Sequence, residues 1–234
     1  MYFEPILRSN IIAAAKDMSG NGAEFATFRT AFCNRDYWKL TKNGGFQLRD
    51  DVTPADGVGD IFSNAKKYGF ECATAIIIIM YKGVLDTLGS ARFNQLFPNL
   101  YLYSWEADSD LGLTTEDAPS AYARPGDALY FKNPEVNPEK MEWRGENVIK
   151  MSDDLYFGHG IGINTADGII AALNRHRVQG ATESAYLVNQ LTYPAYRSLS
   201  QFAPADMRPY FNKAERPDPN AVRAIIGVRR YIRH

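Results

Sequence analysis

The chain has 234 residues, of which 45% are hydrophobic and 23% charged, and its formal net charge is −1. This composition is typical of one large globular domain, with or without an appendage, and it does not favour a nucleic-acid-binding protein, which needs a basic face. Two cysteines are too few for a disulfide framework, and three separated histidines give no structural zinc motif. The first residues lack the basic start and apolar core of a signal peptide, so none is expected.

The first third of the chain predicts helices and one hairpin. A helix is expected over residues 10–18 with Asn10 as its N-cap. Alternating aromatic and polar residues around an Asn-Gly-Gly turn predict a β-hairpin over residues 35–49. Thr53-Pro54 then supplies a cap and a first helical residue for a helix that is expected to reach about Lys67.

The stretch around Cys72 is the most distinctive part of the sequence. Gly69 interrupts the preceding helical pattern. An apolar run of about 17 residues then extends up to Gly89, which is suited to end a helix. The run is too long for a strand, and Lys82 and Asp86 interrupt it before it reaches the roughly 20 apolar residues of a membrane span. The sequence therefore predicts a buried helix with Cys72 in its first turn.

The remainder predicts mostly strands. An acidic, irregular surface loop is expected over residues 106–121, and residues 203–220 are expected to form a loosely packed extension. The helices come first and an antiparallel sheet follows, which indicates an α+β fold. The other expected elements are a helix over 90–97 capped by Ser90, strands over 100–105, 128–131, 146–151 and 155–163, a helix over 167–177, and a final short strand or helix over 221–231.

Cys72 has two interpretations. The first turn of a helix carries free N–H groups and the positive end of the helix dipole, which lower the pKa of a thiol and make it a nucleophile. The alternative is a small buried core residue, as free cysteines often are. Cys33 has no histidine near it in sequence and is interpreted as structural.

A cysteine nucleophile needs a base or ion partner, and the hairpin after residue 145 offers two. A two-residue turn at Asp153 and Asp154 would place Val148 opposite His159. Glu146 would then lie on the same face as His159, one diagonal step away. A three-residue turn would place the two side chains on opposite faces.

Each candidate partner also has a structural alternative. His159 lies between Gly158 and Gly160, and these glycines favour close approach of a backbone or a substrate. The alternative is a loop or strand histidine without a role in the site. Glu146 is alternatively a solvated acid at a strand edge, and Glu71 an acid that complements the helix dipole. The aromatic residues are either core residues or the walls of a narrow approach to the cysteine that excludes water: Phe25, Trp105, Tyr130 and Trp143.

Several rare strings occur in an order that resembles a known family. They are residues 70–76 (FECATAI), 130–135 (YFKNPE), 143–149 (WRGENVI) and 156–163 (YFGHGIGI), supported by 10–16 (NIIAAAK) and 25–28 (FATF). Together they resemble the spore-coat protein-glutamine gamma-glutamyltransferases of Bacillus and its relatives over about residues 7–200. A wider resemblance to the NlpC/P60-like (papain-like) cysteine peptidase core rests on the cysteine at a helix start, residues 125–127 and the later histidine.

The resemblance implies a calcium-independent enzyme without a cofactor that joins protein glutamine and lysine side chains through a thioester on the cysteine. Its implied substrates are proteins bearing those side chains, with no nucleic acid and no membrane involved. The implied catalytic residues are Cys72, Glu146, Glu71 and His159, and the implied tunnel residues are Phe25, Trp105, Tyr130 and Trp143.

The two ends of the chain differ from the family pattern. The chain begins without the expected N-terminal segment and adds about 30 residues after Phe202, so a catalytic domain is expected over 1–202 and an extension over 203–234. These departures keep open a glutamine deamidase or a toxin domain of a delivered bacterial effector, acting in a target cell rather than in a spore coat. The third alternative is a structural or binding protein with a dead site.

Overall fold

The structure, a computed structural model of the chain, describes residues 3–205, 207, 222–226 and 229–233. The helices are α1 (Phe3–Met18), α2 (Pro54–Ser63), α3 (Cys72–Leu88), α4 (Ser90–Leu96), α5 (Ala166–Asn174) and α6 (Tyr196–Leu199). The strands are β1 (Glu24–Phe25), β2 (Trp38–Leu40), β3 (Phe46–Leu48), β4 (Gly69–Phe70), β5 (Tyr101–Leu102), β6 (Thr114–Glu116), β7 (Ala128–Lys132), β8 (Gly145–Ser152), β9 (Leu155–Gly158), β10 (Gly162–Asn164), β11 (Tyr186–Leu187), β12 (Leu191–Tyr193), β13 (Val222–Ile226) and β14 (Arg229–Arg233).

Helix α3 forms the centre of the larger core. Nearly all its side chains are buried, as expected for an apolar run without a polar face. Helix α1 crosses it closely at Gly83, where an added Cβ would lie 2.6 Å from Cγ1 of Ile11. A glycine is required at this crossing because any side chain would force the two helices apart.

The main sheet has seven strands in the order β10-β9-β8-β7-β12-β6, with β11 pairing with β7, and its ladders are antiparallel. Side chains alternate between its faces, as the strand period requires. Ile149 belongs to the core shared with α3, whereas Val148 belongs to a second core with Ile169 and Leu173 of α5. Strand β8 therefore runs directly beneath the helix that carries Cys72.

Two small sheets flank the Cys72 helix. Strands β2, β3 and β5 form an antiparallel sheet, and β1 pairs in parallel with β4, which leads into α3. The β13–β14 pair is also antiparallel. Helices combined with an antiparallel sheet confirm the α+β prediction at this level. None of the helices in the described ranges is long and apolar enough to cross a membrane.

Several predicted boundaries in the first part of the chain were wrong. Helix α1 begins at Phe3, and Asn10 lies inside it, where its amide donates a hydrogen bond to Oγ1 of Thr87. The helix after Thr53 ends at Ser63, although its predicted cap is confirmed because Oγ1 accepts a hydrogen bond from the backbone of Asp56. The hairpin and the extent of α3 are confirmed.

The second part of the chain also differs from prediction. Ser90 is the first residue of α4 rather than its cap, and the expected strand over 100–105 shortens to β5 before a 3-10 turn. The expected loop over 106–121 contains β6, which is paired with β12. The predicted strand over 155–163 is a second hairpin, β9 and β10. The predicted extension over 203–220 lies mostly outside the described residues, and residues 221–231 contain strand rather than helix where described.

Candidate active site

The N-terminus of α3 holds Cys72 between a strand and a helix. Strand β4 ends at Phe70, and Glu71 is the N-cap, with an extended backbone and a side chain whose Oε2 accepts a 2.7 Å hydrogen bond from the Ala73 N–H. Cys72 is the first helical residue and is only 2% exposed. The predicted position of the thiol is confirmed.

Two side chains bind the Cys72 sulfur from different elements. The thiol donates a 3.3 Å hydrogen bond to Oε1 of Glu71. Nδ2 of Asn147, on β8, donates a 3.3 Å hydrogen bond to Sγ. Oδ1 of Asn147 in turn accepts a 3.0 Å hydrogen bond from Nε1 of Trp105. The sulfur therefore lies between a carboxylate that can accept its proton and an amide that can stabilise its negative charge.

Glu146 is the third group of the site and the most unusual. It is 3% exposed, and its Oε1 is buried without a hydrogen-bond partner among the described residues. Its side chain packs over Gly158, where an added Cβ would lie 2.7 Å from both Cγ and Oε1 of Glu146. Burial raises the pKa of Glu146 well above its ordinary value, and the nearby Glu71 raises it further.

The pKa of the Cys72 thiol is raised, not lowered as the sequence predicted. Burial is the main cause, followed by the charges of Glu146 and Glu71. Hydrogen bonds from the backbone and side chain of Asn147 act in the opposite direction but do not outweigh them. In this enclosed acidic setting the resting cysteine is a neutral thiol, and it needs a base to become a nucleophile.

The register of the β8–β9 hairpin differs from prediction in one respect. The two-residue turn is confirmed, because Ser152 pairs with Leu155. An irregularity just before Ser152 adds one residue to β8, so Val148 pairs with Gly158 and not with His159. The predicted diagonal between Glu146 and His159 was therefore wrong, and Glu146 lies over the glycine instead.

His159 follows β9 directly, in the turn before β10, and is 5% exposed. Its Nε2 is 3.0 Å from the carbonyl oxygen of Glu24, so this nitrogen carries the proton and donates. The ring stacks on Phe70 with centroids 4.6 Å apart. Burial lowers the pKa of His159 to about 4, so the ring is neutral at neutral pH. His159 thus contacts both strands of the β1–β4 pair, Glu24 of β1 by a hydrogen bond and Phe70 of β4 by stacking. Strand β4 leads directly into Cys72.

The candidate aromatic walls fall into two groups. Trp105 and Tyr130 line a cleft of about 390 Å³ that opens onto Cys72. Burial raises the pKa of Tyr130 to about 12, and the charge of a Cys72 thiolate contributes next. Phe25 and Trp143 pack against each other instead, with ring centroids 6.4 Å apart.

Asn147 is the site residue that sequence reasoning missed. A signal for it was present, because Asn147 pairs across the sheet with Tyr130, and partners in a ladder share a face. An amide cannot act as a base or an ion partner, so Asn147 was not among the predicted partners of the cysteine. Among the described residues, no group of three or more His, Cys, Asp or Glu side chains is placed to hold a metal ion.

The chain was compared with family models, with related sequences and with solved structures. The family model for protein-glutamine gamma-glutamyltransferase matches residues 1–203. The chain belongs to the protein-glutamine gamma-glutamyltransferase family. It is therefore an acyltransferase that acts on protein substrates, and the family resemblance drawn from the sequence strings is confirmed.

Related proteins agree with this membership. A protein-glutamine gamma-glutamyltransferase of Bacillus mycoides (strain KBAB4) is 46% identical over 202 residues, covering 86% of this chain and 72% of the relative. The enzyme of Bacillus cereus (strain B4264) is also 46% identical, over 201 residues, with the same coverage. A solved structure, the transglutaminase from Geobacillus stearothermophilus without its C-terminal extension, superposes with a TM-score of 0.83 at 51% identity. That match covers 86% of this chain and 96% of the solved one.

Proposed function

We propose that this transglutaminase family member acts without calcium and forms a thioester between Cys72 and a glutamine side chain. The observation that carries the proposal is the buried thiol bonded to Glu71, near the buried Glu146 carboxyl group whose Oε1 has no partner among the described residues. This cluster contains a nucleophile, a proton acceptor and a proton donor in one enclosed site. Acyl transfer from an amide needs these three roles.

In the first step Oε1 of Glu71 takes the thiol proton along the existing hydrogen bond. The sulfur attacks the glutamine carboxamide carbon, forming an S–C bond and a tetrahedral oxyanion. The Asn147 amide stabilises the thiolate while it forms. The Ala73 N–H is already bound by Glu71, so oxyanion stabilisation falls to other donors at the start of the helix.

Glu146 completes the first half-reaction. Because burial raises its pKa, Glu146 is protonated at rest and can donate to the departing nitrogen as the C–N bond breaks. Ammonia leaves, and the thioester and the Glu146 carboxylate remain. A neutral lysine amine then attacks the thioester, Glu146 takes its proton, and the isopeptide bond forms. The proton held by Glu71 returns to the sulfur, which restores the resting site.

The walls of the cleft decide the product. If water reaches the thioester instead of an amine, the same steps yield glutamate, which is deamidation. We assign Trp105 and Tyr130 to the approach nearest the sulfur, and Phe25 and Trp143 to its continuation. His159 acts in this scheme as a positioning residue for the segment before Cys72, supported by its hydrogen bond to Glu24 of β1 and its stacking on Phe70 of β4.

The finer fold and the domain limits belong to the same proposal. A cysteine at the start of a helix that packs over an antiparallel sheet supports an NlpC/P60-like core. The family match ends at residue 203, which supports a catalytic domain over 1–202 and a separate extension over 203–234. The substrates proposed are proteins that present accessible glutamine and lysine side chains.

The test compares the wild type with Cys72→Ala and with Cys33→Ala as the matched control. Each is incubated with casein and a fluorescent primary amine, in the presence of EDTA and in the presence of added calcium. We expect incorporation that survives EDTA, vanishes in Cys72→Ala and persists in Cys33→Ala, with a trapped acyl-enzyme in the intact mass. Incorporation by Cys72→Ala would refute the nucleophile, and dependence on calcium would refute calcium independence. Casein that gains only the mass of deamidation would identify a deamidase.

A further inference from the structure

Two hydrogen bonds connect Trp105, at the cleft wall, to the Cys72 sulfur through Asn147. Nε1 of Trp105 donates to Oδ1 of Asn147 at 3.0 Å, and Nδ2 of Asn147 donates to Sγ of Cys72 at 3.3 Å. The three residues come from three different elements: a 3-10 turn, strand β8 and helix α3. The connection exists only in the folded protein.

The indole fixes which way the amide points. An indole N–H can only donate, so it can be satisfied only by the oxygen of the Asn147 amide. The amide nitrogen is then directed at Sγ. Without the indole, the amide can turn over and present its oxygen to the sulfur. That oxygen would stabilise the neutral thiol and repel the thiolate, which is the opposite of what nucleophilic attack needs.

The turn that carries Trp105 is tied to the helix of the nucleophile. The 3-10 turn Trp105–Ala107 ends at Asp108, whose Oδ2 accepts a 2.6 Å hydrogen bond from the Tyr81 hydroxyl. Oδ1 of Asp108 accepts a second hydrogen bond from the Leu111 N–H at 3.0 Å. Tyr81 is a buried residue of α3, so both ends of the relay are fixed to one rigid element.

We propose that Trp105 and Asn147 form an orienting relay that sets the protonation and reactivity of Cys72, so that Trp105 is a positioning residue as well as a wall. The inference rests on the proposed role of Cys72 as the nucleophile. The two parts of the Trp105 side chain have different roles. The ring of Trp105 shapes the cleft, whereas its N–H orients the amide that stabilises the thiolate.

The experiment measures the rate of alkylation of Cys72 by iodoacetamide across a range of pH, in a Cys33→Ala background and read by intact mass. The variants are Trp105→Phe, which keeps an aromatic ring without the N–H, Asn147→Ala, and the double variant. The control is Asn189→Ala, an exposed asparagine whose Oδ1 accepts from the Ser120 N–H.

We expect the midpoint of the pH–rate profile to rise in Trp105→Phe and in Asn147→Ala. Alkylation below the midpoint should fall by about tenfold in Asn147→Ala, since a hydrogen bond to a charged group is lost. The double variant should match Asn147→Ala, because Trp105 acts only through Asn147. The control profile should not move.

An unchanged midpoint in Trp105→Phe, or effects of the two substitutions that simply add, would overturn the relay. A purely structural role for Trp105 would lower amine incorporation without moving the midpoint. If Asn147→Ala does not fold, Trp105→Phe alone decides, because Trp105 is only partly buried. Amine incorporation that persists in Cys72→Ala would refute the proposed nucleophile, whereas incorporation that depends on Cys72 with an unmoved profile refutes only the relay.

Discussion

Replacing Glu146 with glutamine removes a buried carboxyl group whose Oε1 has no hydrogen-bond partner among the described residues. Glutamine has nearly the same shape and cannot ionise, so it resembles the protonated acid. Burial raises the pKa of Glu146 above its ordinary value of 4.5, so the folded protein binds this proton more tightly than the unfolded chain does. The wild type therefore loses stability as the pH rises from about 4.5 toward the raised pKa, and Glu146→Gln should not show this loss.

The size of the effect follows from the linkage between protonation and folding. Each unit by which folding raises the pKa lowers the free energy of unfolding above that pKa by about 1.4 kcal/mol. For a chain of this size, 1 kcal/mol corresponds to about 2–4 °C in Tm. Glu146→Gln should therefore gain about 3–6 °C over the wild type at alkaline pH for each unit of the shift. The gain should vanish below about pH 4, where both proteins are neutral at this position.

The assay is thermal unfolding by circular dichroism across this pH range, with amine incorporation measured in parallel. Glu106→Gln is the matched control, since Glu106 is an exposed carboxylate that lines the same cleft. We expect the control to change stability by no more than about 0.5 kcal/mol at any pH. Glu146→Gln should lose amine incorporation while gaining stability at high pH. A Tm difference that does not vary with pH, or a less stable variant at high pH, would refute the reasoning.

Three further changes test the packing around the site. Gly158→Ala would place a Cβ 2.7 Å from Glu146, which should cost about 1–3 kcal/mol in urea unfolding and reduce amine incorporation; full activity at wild-type stability would contradict this packing. Tyr81→Phe leaves Oδ2 of Asp108 without its donor and should lower the free energy of unfolding by about 1–3 kcal/mol, and an unchanged urea midpoint would show that the bond contributes little. Thr53→Ala removes the N-cap of α2 and should cost about 1 kcal/mol in the same measurement without affecting amine incorporation.

Activity and stability make opposite demands on residue 146, because burial of the Glu146 carboxyl group lowers stability while its raised pKa serves catalysis. An apolar residue or an amide at this position would avoid the cost of burying an ionisable group. The scheme proposed above uses that cost, because a carboxyl group that is protonated at rest can donate to the departing ammonia. The stability gained by Glu146→Gln is thus a measure of what the site gives up to hold its proton donor.

The sequence by itself determined the elements whose signals are local. The long apolar run and Gly89 predicted the extent of α3, with Cys72 in its first turn and its end near Gly89, because helix length, hydrophobicity and a C-terminal glycine act within the segment. The cap at Thr53 and the turn of the β2–β3 hairpin were predicted for the same reason. The order of rare strings was enough to identify the family.

Only the tertiary structure decided the chemistry of the cysteine. A helix N-terminus alone predicts a lowered thiol pKa, but the effect of burial and of the two neighbouring glutamate side chains is larger, and these groups meet only when β8 packs beneath α3. One extra residue in β8 moved Glu146 away from His159 and over Gly158, and no local pattern revealed that irregularity. Asn147 became a partner of Cys72 through a contact between residues 75 positions apart. Charge and hydrogen bonding at a site depend on distances in space, which sequence spacing does not determine.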